Sequence, residues 1–146
     1  MIYIGADHRG FALKEEVVQW LKEKGHNIVD CGAFEFNKDD DYPDFSADVA
    51  RRVAQDSNSK GIVICGSGAG VTITANKIGG IRCANACNSD EVTHARAHDD
   101  LNVLALSADY LTREQAQELI EAFLLTSFDP QERFVRRLNK IREIES

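Results

Sequence analysis

Short apolar runs alternate with longer amphipathic stretches along the whole chain. Met1-Ile2-Tyr3-Ile4-Gly5, Asn27-Ile28-Val29-Asp30-Cys31, Gly61-Ile62-Val63-Ile64-Cys65, Ile81-Arg82-Cys83-Ala84 and Asn102-Val103-Leu104-Ala105-Leu106 predict five strands. Between them apolar residues recur at helical spacing. Leu13, Val17, Trp20 and Leu21 share one face of a helix over 11–24, closed by Gly25. Pro43 starts a second helix, over 43–55, through Val49 and Val53. Val71 to Lys77 predicts a third, ended by Gly79-Gly80, and Ser89 to His98 a fourth. Thr112-Arg113-Glu114-Gln115 has the pattern of an N-cap before a fifth helix running to Leu125. Asp129-Pro130 starts the last, which runs to Ile144. Asp39-Asp40-Asp41, in a polar loop over 32–42, reads as a solvated run.

Strands alternating with helices place the chain in the α/β class: a three-layer α/β/α, Rossmann-like arrangement with a five-stranded parallel sheet, helices on both faces and a C-terminal basic helix. The 146 residues suit one domain, 1–146. In such sheets ligands sit at the carboxyl ends of the strands. That rule gathers Asp7-His8-Arg9, Cys65 with the residues after it, and Ser107-Ala108-Asp109 at one crevice, with Asp44 and His98 added by helix ends at the same rim.

Composition narrows the partners. With 24 Asp+Glu against 17 Lys+Arg and a net charge of −7, a general nucleic-acid or anionic-membrane surface is excluded, and an anionic ligand must be met by a local cationic cluster. No apolar run approaches the ~20 residues of a membrane span. The four cysteines, Cys31, Cys65, Cys83 and Cys87, lie in or beside apolar stretches without a signal-peptide pattern or C-x-x-C spacing. Reduced thiols in a cytoplasmic protein, with no structural zinc, are expected.

Cys65 closes an apolar run and opens directly into Gly66-Ser67-Gly68-Ala69-Gly70. Glycines let backbone N–H groups turn toward one point, and a following helix start adds partial positive charge, so the thiol stands beside an anion site. There it is suited to act as base or nucleophile. The alternative is a small buried strand residue before a tight turn. Asp7 either caps the first helix or holds a substrate hydroxyl, while His8 and Arg9 are solvated or meet an anion. His94 and His98, four apart, share a helix face, and Asp90 is near enough in sequence to add an oxygen; without H-E-x-x-H or a third nitrogen ligand, no metal is expected. His98 is better suited to proton transfer, since imidazole titrates near physiological pH. His94 is read as an ordinary surface residue. In the last helix, Arg133, Arg137 and Lys140 share a face; they are either a solvated surface paired with neighbouring glutamates or, through two arginines one turn apart, a grip on phosphate.

The loop after Cys65 lacks the last glycine of G-x-G-x-x-G, has no G-K-[ST], and no arginine closes it through Ala75 as a cysteine phosphatase requires. Dinucleotide, nucleoside triphosphate and phosphatase readings are disfavoured. The thiol is then suited to moving a proton.

Taken in order, Gly5-Ala6-Asp7-His8-Arg9-Gly10-Phe11, Asp30-Cys31-Gly32, Tyr42-Pro43-Asp44, Cys65-Gly66-Ser67-Gly68, Ala75-Asn76-Lys77, Gly80-Ile81-Arg82, Ala95-Arg96-Ala97-His98 and the arginine-rich closing helix resemble the type B ribose-5-phosphate isomerases and their galactose-6-phosphate relatives. The resemblance implies interconversion of ribose 5-phosphate and ribulose 5-phosphate through a cis-enediolate, with no metal or organic cofactor. By position, Cys65 would move the proton. Ser67 with the amides of Gly66, Gly68, Ala69 and Gly70 would hold the enediolate oxygen. His98 with Asp7 would open the sugar ring, and His8, Arg133 and Arg137 would hold phosphate. It also implies a homodimer or tetramer with sites shared between subunits. Four positions depart from the pattern: Asp99 replaces an amide expected to contact the sugar, Asp109 stands where many members have arginine, Phe134 replaces histidine, and Arg9 takes a position commonly small. Arg9 and Arg136 are the candidates to supply the missing charge. Another phosphosugar substrate, or phosphosugar binding without catalysis, are the alternatives.

Overall fold

Alternation along one strand sets the architecture. In β3 (Lys60–Cys65) the side chains of Ile62 and Ile64 belong to one apolar cluster and those of Val63 and Cys65 to another, so the strand is covered on both faces. The computed structural model describes residues 1–145. Its other elements are β1 (Ile2–Ala6), α1 (Phe11–Glu23), β2 (Ile28–Asp30), α2 (Tyr42–Ala54), α3 (Ala69–Ala75), β4 (Cys83–Asn85), α4 (Ser89–Asp99), β5 (Val103–Ser107), α5 (Arg113–Leu125) and α6 (Glu132–Glu145). All strand pairs are parallel, in the order β2-β1-β3-β5-β4. Leu13, Val17 and Leu21 of α1 pack with Leu119, Ile120 and Phe123 of α5 on one face. Val49 and Val53 of α2 pack with Val71 and Ala75 of α3 on the other. The expected three layers are present.

Lys14, fully buried on α1, reaches β2: its Nζ donates to Asp30 Oδ1 at 2.8 Å and Oδ2 at 2.7 Å. Asp30 Oδ1 also accepts the Gly32 N–H at 2.9 Å, so one ion pair fixes both the helix and the start of the next loop. The capping box expected at Thr112 forms, with Gln115 N–H donating to Thr112 Oγ1 at 3.1 Å and Thr112 N–H to Gln115 Oε1 at 2.9 Å.

Several boundaries differ from expectation, three of them with a clear local cause or consequence. β4 starts at Cys83, because Ile81 N–H closes a turn onto Ile78 O and Arg82 N–H goes to Asn102 Oδ1. α3 begins earlier, at Ala69, and has only 7 residues. α6 begins at Glu132, past Pro130, because Asp129 N–H donates to Ala97 O at 2.9 Å and holds that segment against the end of α4.

The run of α4 positions the site. Lying between two parallel strands, α4 travels back across the sheet and ends at its N-terminal edge. There Asp100 accepts from Arg82, ahead of β4, and from Arg96. Helix α6 stays at this edge: Leu138, Ile141 and Arg142 line a cavity of about 340 Å³ with Lys60, Arg82 and Asn102.

Candidate active site

Because β1 pairs with β2 on one side and β3 on the other, the chain reverses its direction of winding between β1 and β3. Ligands of open parallel sheets bind at such a point. Asp7, just past β1, is buried, and its Oδ1 accepts the N–H groups of Arg9 at 3.0 Å and Gly10 at 3.1 Å. It therefore closes the turn rather than capping the helix, whose N-cap is Gly10 without a side-chain bond. A Cβ on Gly10 would lie 2.7 Å from Ile64 O, so only glycine lets this turn press against the end of β3.

Cys65 ends β3 and is 4% exposed. Burial pushes the Cys83 thiol up to about 12 and the Cys31 thiol up to about 11, which keeps both protonated and inert. After Cys65 the loop offers donors rather than acceptors. Gly66 O is taken by Asp109 N–H at 3.0 Å, Ser67 O by Asn85 Nδ2 at 3.0 Å, and Gly68 O by Thr72 Oγ1 at 2.6 Å. Ser67 Oγ accepts the Ala69 N–H at 3.2 Å, leaving its own hydroxyl proton to donate. Gly68 has φ +77°, and a Cβ there would meet the Asn85 amide at 2.7 Å. The first N–H groups of α3 have no acceptor within the helix. With only 7 residues in α3, these local amides, more than a helix dipole, make the loop attractive to an oxyanion.

His8 is gripped by the loop read as solvated. Its N–H donates to Asp40 Oδ1 at 2.8 Å and its Nδ1 stands 2.7 Å from the same oxygen. The side-chain hydrogen bond to Asp40 is the main reason its pKa lies above the ordinary 6.5, with Asp7 adding to it. Asp40 Oδ2 is buried and has no partner. Among the described residues, Asp7, His8 and Asp40 form the one group of three potential metal ligands within 4.8 Å of one another; Asp90, His94 and His98 do not form such a group. Arg9 pairs with Asp109 across Gly66.

His98 is not at this rim. Expected beside Cys65, it stands instead near the end of α4, and Asp99, Arg133 and Arg137 accompany it at the N-terminal edge. The reason is topological: a helix returning between parallel strands must end at the opposite edge. The six residues of β3 alone separate the two groups by roughly 17 Å, at about 3.3 Å per residue. His98 stacks on Phe134, ring centroids 4.2 Å apart and planes 20° from parallel, and its Nδ1 lies 3.1 Å from His94 Nε2. His94 is therefore a partner of His98. Arg133 also lies over Phe134, its Cζ 4.6 Å from the ring centroid. Arg137 is exposed one turn further on. Asp44 does lie at the Cys65 rim, in the first turn of α2.

Three residues at the rim escaped sequence reasoning. Asp40 sits in a loop whose path no periodicity reveals. Asn85 was hidden by ending β4 one residue short. Tyr42, whose ring would meet a Cβ on Gly70 at 2.6 Å, begins α2 one residue before Pro43.

A doubly wound parallel sheet that brings a thiol, a donor-rich glycine loop and an Asp–His pair to its switch point defines an α/β enzyme for small anionic molecules. The chain belongs to the ribose/galactose isomerase family, whose sequence profile matches residues 2–141. It is 38% identical over 144 residues to ribose-5-phosphate isomerase B of Mycobacterium leprae, covering 99% of this chain and 89% of that protein. It is 37% identical over 128 residues to the Escherichia coli K12 protein of the same name, covering 88% and 85%. Among solved structures, ribose-5-phosphate isomerase B of Mycoplasma genitalium with bound ribulose-5-phosphate superposes with a TM-score of 0.94 at 39% identity, covering 99% of this chain and 95% of that one. The Clostridium thermocellum enzyme superposes with a TM-score of 0.94 at 40% identity, covering 99% and 96%. None of the described helices is long and apolar enough to cross a membrane.

Proposed function

We propose that this protein interconverts ribose 5-phosphate and ribulose 5-phosphate through a cis-enediolate, with Cys65 moving the proton between C2 and C1. The observation that carries the reading is Cys65 standing between the Asp7 turn and a loop whose first three carbonyls, of Gly66, Ser67 and Gly68, are occupied. Proton abstraction beside a carbonyl needs a base, donors for the developing oxyanion and a fixed substrate, and these are at hand. Ser67 and the amides of Gly66, Gly68 and Gly70 hold the enediolate oxygen, while the Ala69 N–H, named with them by resemblance, is given to Ser67 Oγ and orients that hydroxyl. Asp7 accepts a hydrogen bond from a sugar hydroxyl, and His8 and Arg9 meet the phosphate.

The remaining roles require a second copy of the chain. His98, for ring opening, Asp99, for a sugar hydroxyl, and Arg133 and Arg137, for phosphate, cannot reach Cys65 across their own sheet. We therefore read the enzyme as a homodimer, or a tetramer of such dimers, in which the N-terminal-edge cluster of one subunit completes the crevice of the other. Exposed Phe34, Phe36 and Tyr110 beside that crevice provide apolar surface for such a contact. Free thiols throughout suit a cytoplasmic enzyme, and a net charge of −7 disfavours nucleic acid as a partner.

The test is a coupled assay with purified protein, with and without chelator, on ribose 5-phosphate and a panel of six-carbon phosphosugars. Turnover of ribose 5-phosphate with the highest kcat/KM, unchanged by chelator, is expected. The departures at Asp99 and Phe134 favour one rival, a six-carbon substrate, and a higher kcat/KM there would establish it. Binding without exchange of the C2 proton into solvent would instead make the protein a non-catalytic sensor.

His8 adds a pH dependence. Protonated, it donates from Nδ1 to Asp40 and keeps Nε2 for a phosphate oxygen. Since its pKa is raised, this grip is complete at the low end of the range and is lost as pH rises through the raised value. KM for the phosphosugar should rise about tenfold across that step, given the worth of a charge-assisted hydrogen bond. In Asp40→Asn the rise should begin at lower pH; an unmoved inflection would separate His8 from the effect.

A further inference from the structure

Arg9 and Asp109 lie 100 residues apart in sequence and at the ends of two strands that do not pair with each other, yet their side chains meet across β3. What lies beneath them is Gly66. An ideal Cβ on Gly66 would stand 2.5 Å from Arg9 Nε, 2.6 Å from its Cζ and 2.9 Å from Asp109 Oδ2, so the pair rests directly on the bare backbone that follows Cys65. Both partners are anchored to the machinery by their main chains. Arg9 N–H donates to Asp7 Oδ1 at 3.0 Å, Ala108 N–H to Cys65 O at 2.9 Å and Asp109 N–H to Gly66 O at 3.0 Å.

Stability does not account for this arrangement. The two side chains are 57% and 34% exposed, and ion pairs so open to water contribute little to folding. Asp109 engages Arg9 through one of the five guanidinium N–H donors, leaving the others free. Nor is Asp109 an obvious neighbour for a dianionic substrate, which it repels.

We infer that Asp109 is a positioning residue that holds the Arg9 guanidinium over Gly66, so that its free N–H groups grip the substrate phosphate. This rests on the phosphosugar reading of the site. Arg9 thus returns the cationic charge that Asp109 removes from its own position, and the fork geometry of the guanidinium gives the grip direction.

The sign of one substitution separates this from simple repulsion. If Asp109 only repels the substrate, Asp109→Asn tightens binding. If it positions Arg9, the same change weakens binding. Expected are a rise in KM for ribose 5-phosphate of about 5-fold in Asp109→Asn and about 30-fold in Arg9→Ala, with kcat within about twofold, as for loss of a charge-assisted hydrogen bond made equally in ground and transition states. Arg9→Lys, which keeps the charge and loses the fork, should fall between wild type and Arg9→Ala. In the Arg9→Ala background, Asp109→Asn should cost nothing further. Calorimetric titration of the same variants with inorganic phosphate should show the same order of affinities. A lower KM in Asp109→Asn, or an unchanged KM in Arg9→Ala, overturns the inference. Should the wild type not turn over ribose 5-phosphate at all, the isomerase reading fails separately, and the phosphate titration still decides whether the pair binds an anion.

Discussion

Cys65→Ala is expected to lower kcat/KM for ribose 5-phosphate by about 10⁴-fold, the upper range for loss of a positioned acid–base group. That is about 5 kcal/mol of transition-state stabilisation, far more than any packing effect at this position supplies. The fold should survive: the change removes one sulfur from a buried site, costing about 1 kcal/mol, comparable to deletion of a single core methylene. Circular dichroism and the midpoint of chemical denaturation check the second half of the expectation. Exchange of the C2 proton with deuterated solvent checks the first, because a variant that still binds and opens the sugar but cannot abstract the proton shows none. Three other thiols provide an internal control. Cys31 and Cys83 are held in the protonated form by burial, and Cys87 is exposed in the segment after β4, outside the loop that follows Cys65, so alanine at any of them should leave kcat within about twofold. Near-normal turnover by Cys65→Ala would return Cys65 to the status of a packing residue at the end of β3.

Much of this site was legible in the chain because its parts are local. A strand buried on both faces reads as an unbroken apolar run, so Ile62 to Cys65 declared itself, and a glycine loop must directly follow the strand it serves. Asp7 and His8 were legible for the same reason. The pairing of Asp40 with His8 was not: an aspartate in a loop without periodicity carries no mark of whether it meets water or an imidazole. Arg9 and Asp109 each stood out as a charge at a strand end, but their meeting depends on strand order, which places β3 between β1 and β5. His98 is the instructive case. The alternation of strands and helices already implied that the helix before β5 runs against the sheet, and hence that its C-terminal end, with His98 and Asp99, points away from the crevice. Reading polar residues at helix ends as members of one rim conflated helix starts, which reach the C-terminal edge as Asp44 does, with helix ends, which cannot.

That separation has a consequence sharp enough to count. If each crevice takes Cys65 from one subunit and His98 from the other, Cys65→Ala and His98→Gln complement each other in trans. Each variant alone is impaired at every site: the first lacks its base, the second its ring-opening imidazole, with a loss of about 10²-fold or more. In a mixed dimer, one crevice pairs the intact Cys65 of the His98→Gln chain with the intact His98 of the Cys65→Ala chain, and the other crevice carries both lesions. Random exchange of equal amounts makes half the dimers mixed, and half of their sites intact, so about a quarter of wild-type activity should return, as the twofold symmetry of an isologous contact requires. Glutamine keeps a planar polar group against Phe134, so the stack that docks α6 on α4 is disturbed little. Activity after mixing should rise with the rate of subunit exchange and reach its plateau at equal concentrations. No gain on mixing, with exchange verified by mass-tagged subunits, would place His98 and Cys65 in one chain's site or His98 outside the reaction altogether. A gain near a quarter would locate the working unit of this enzyme at the contact between two chains, each supplying one edge of its sheet.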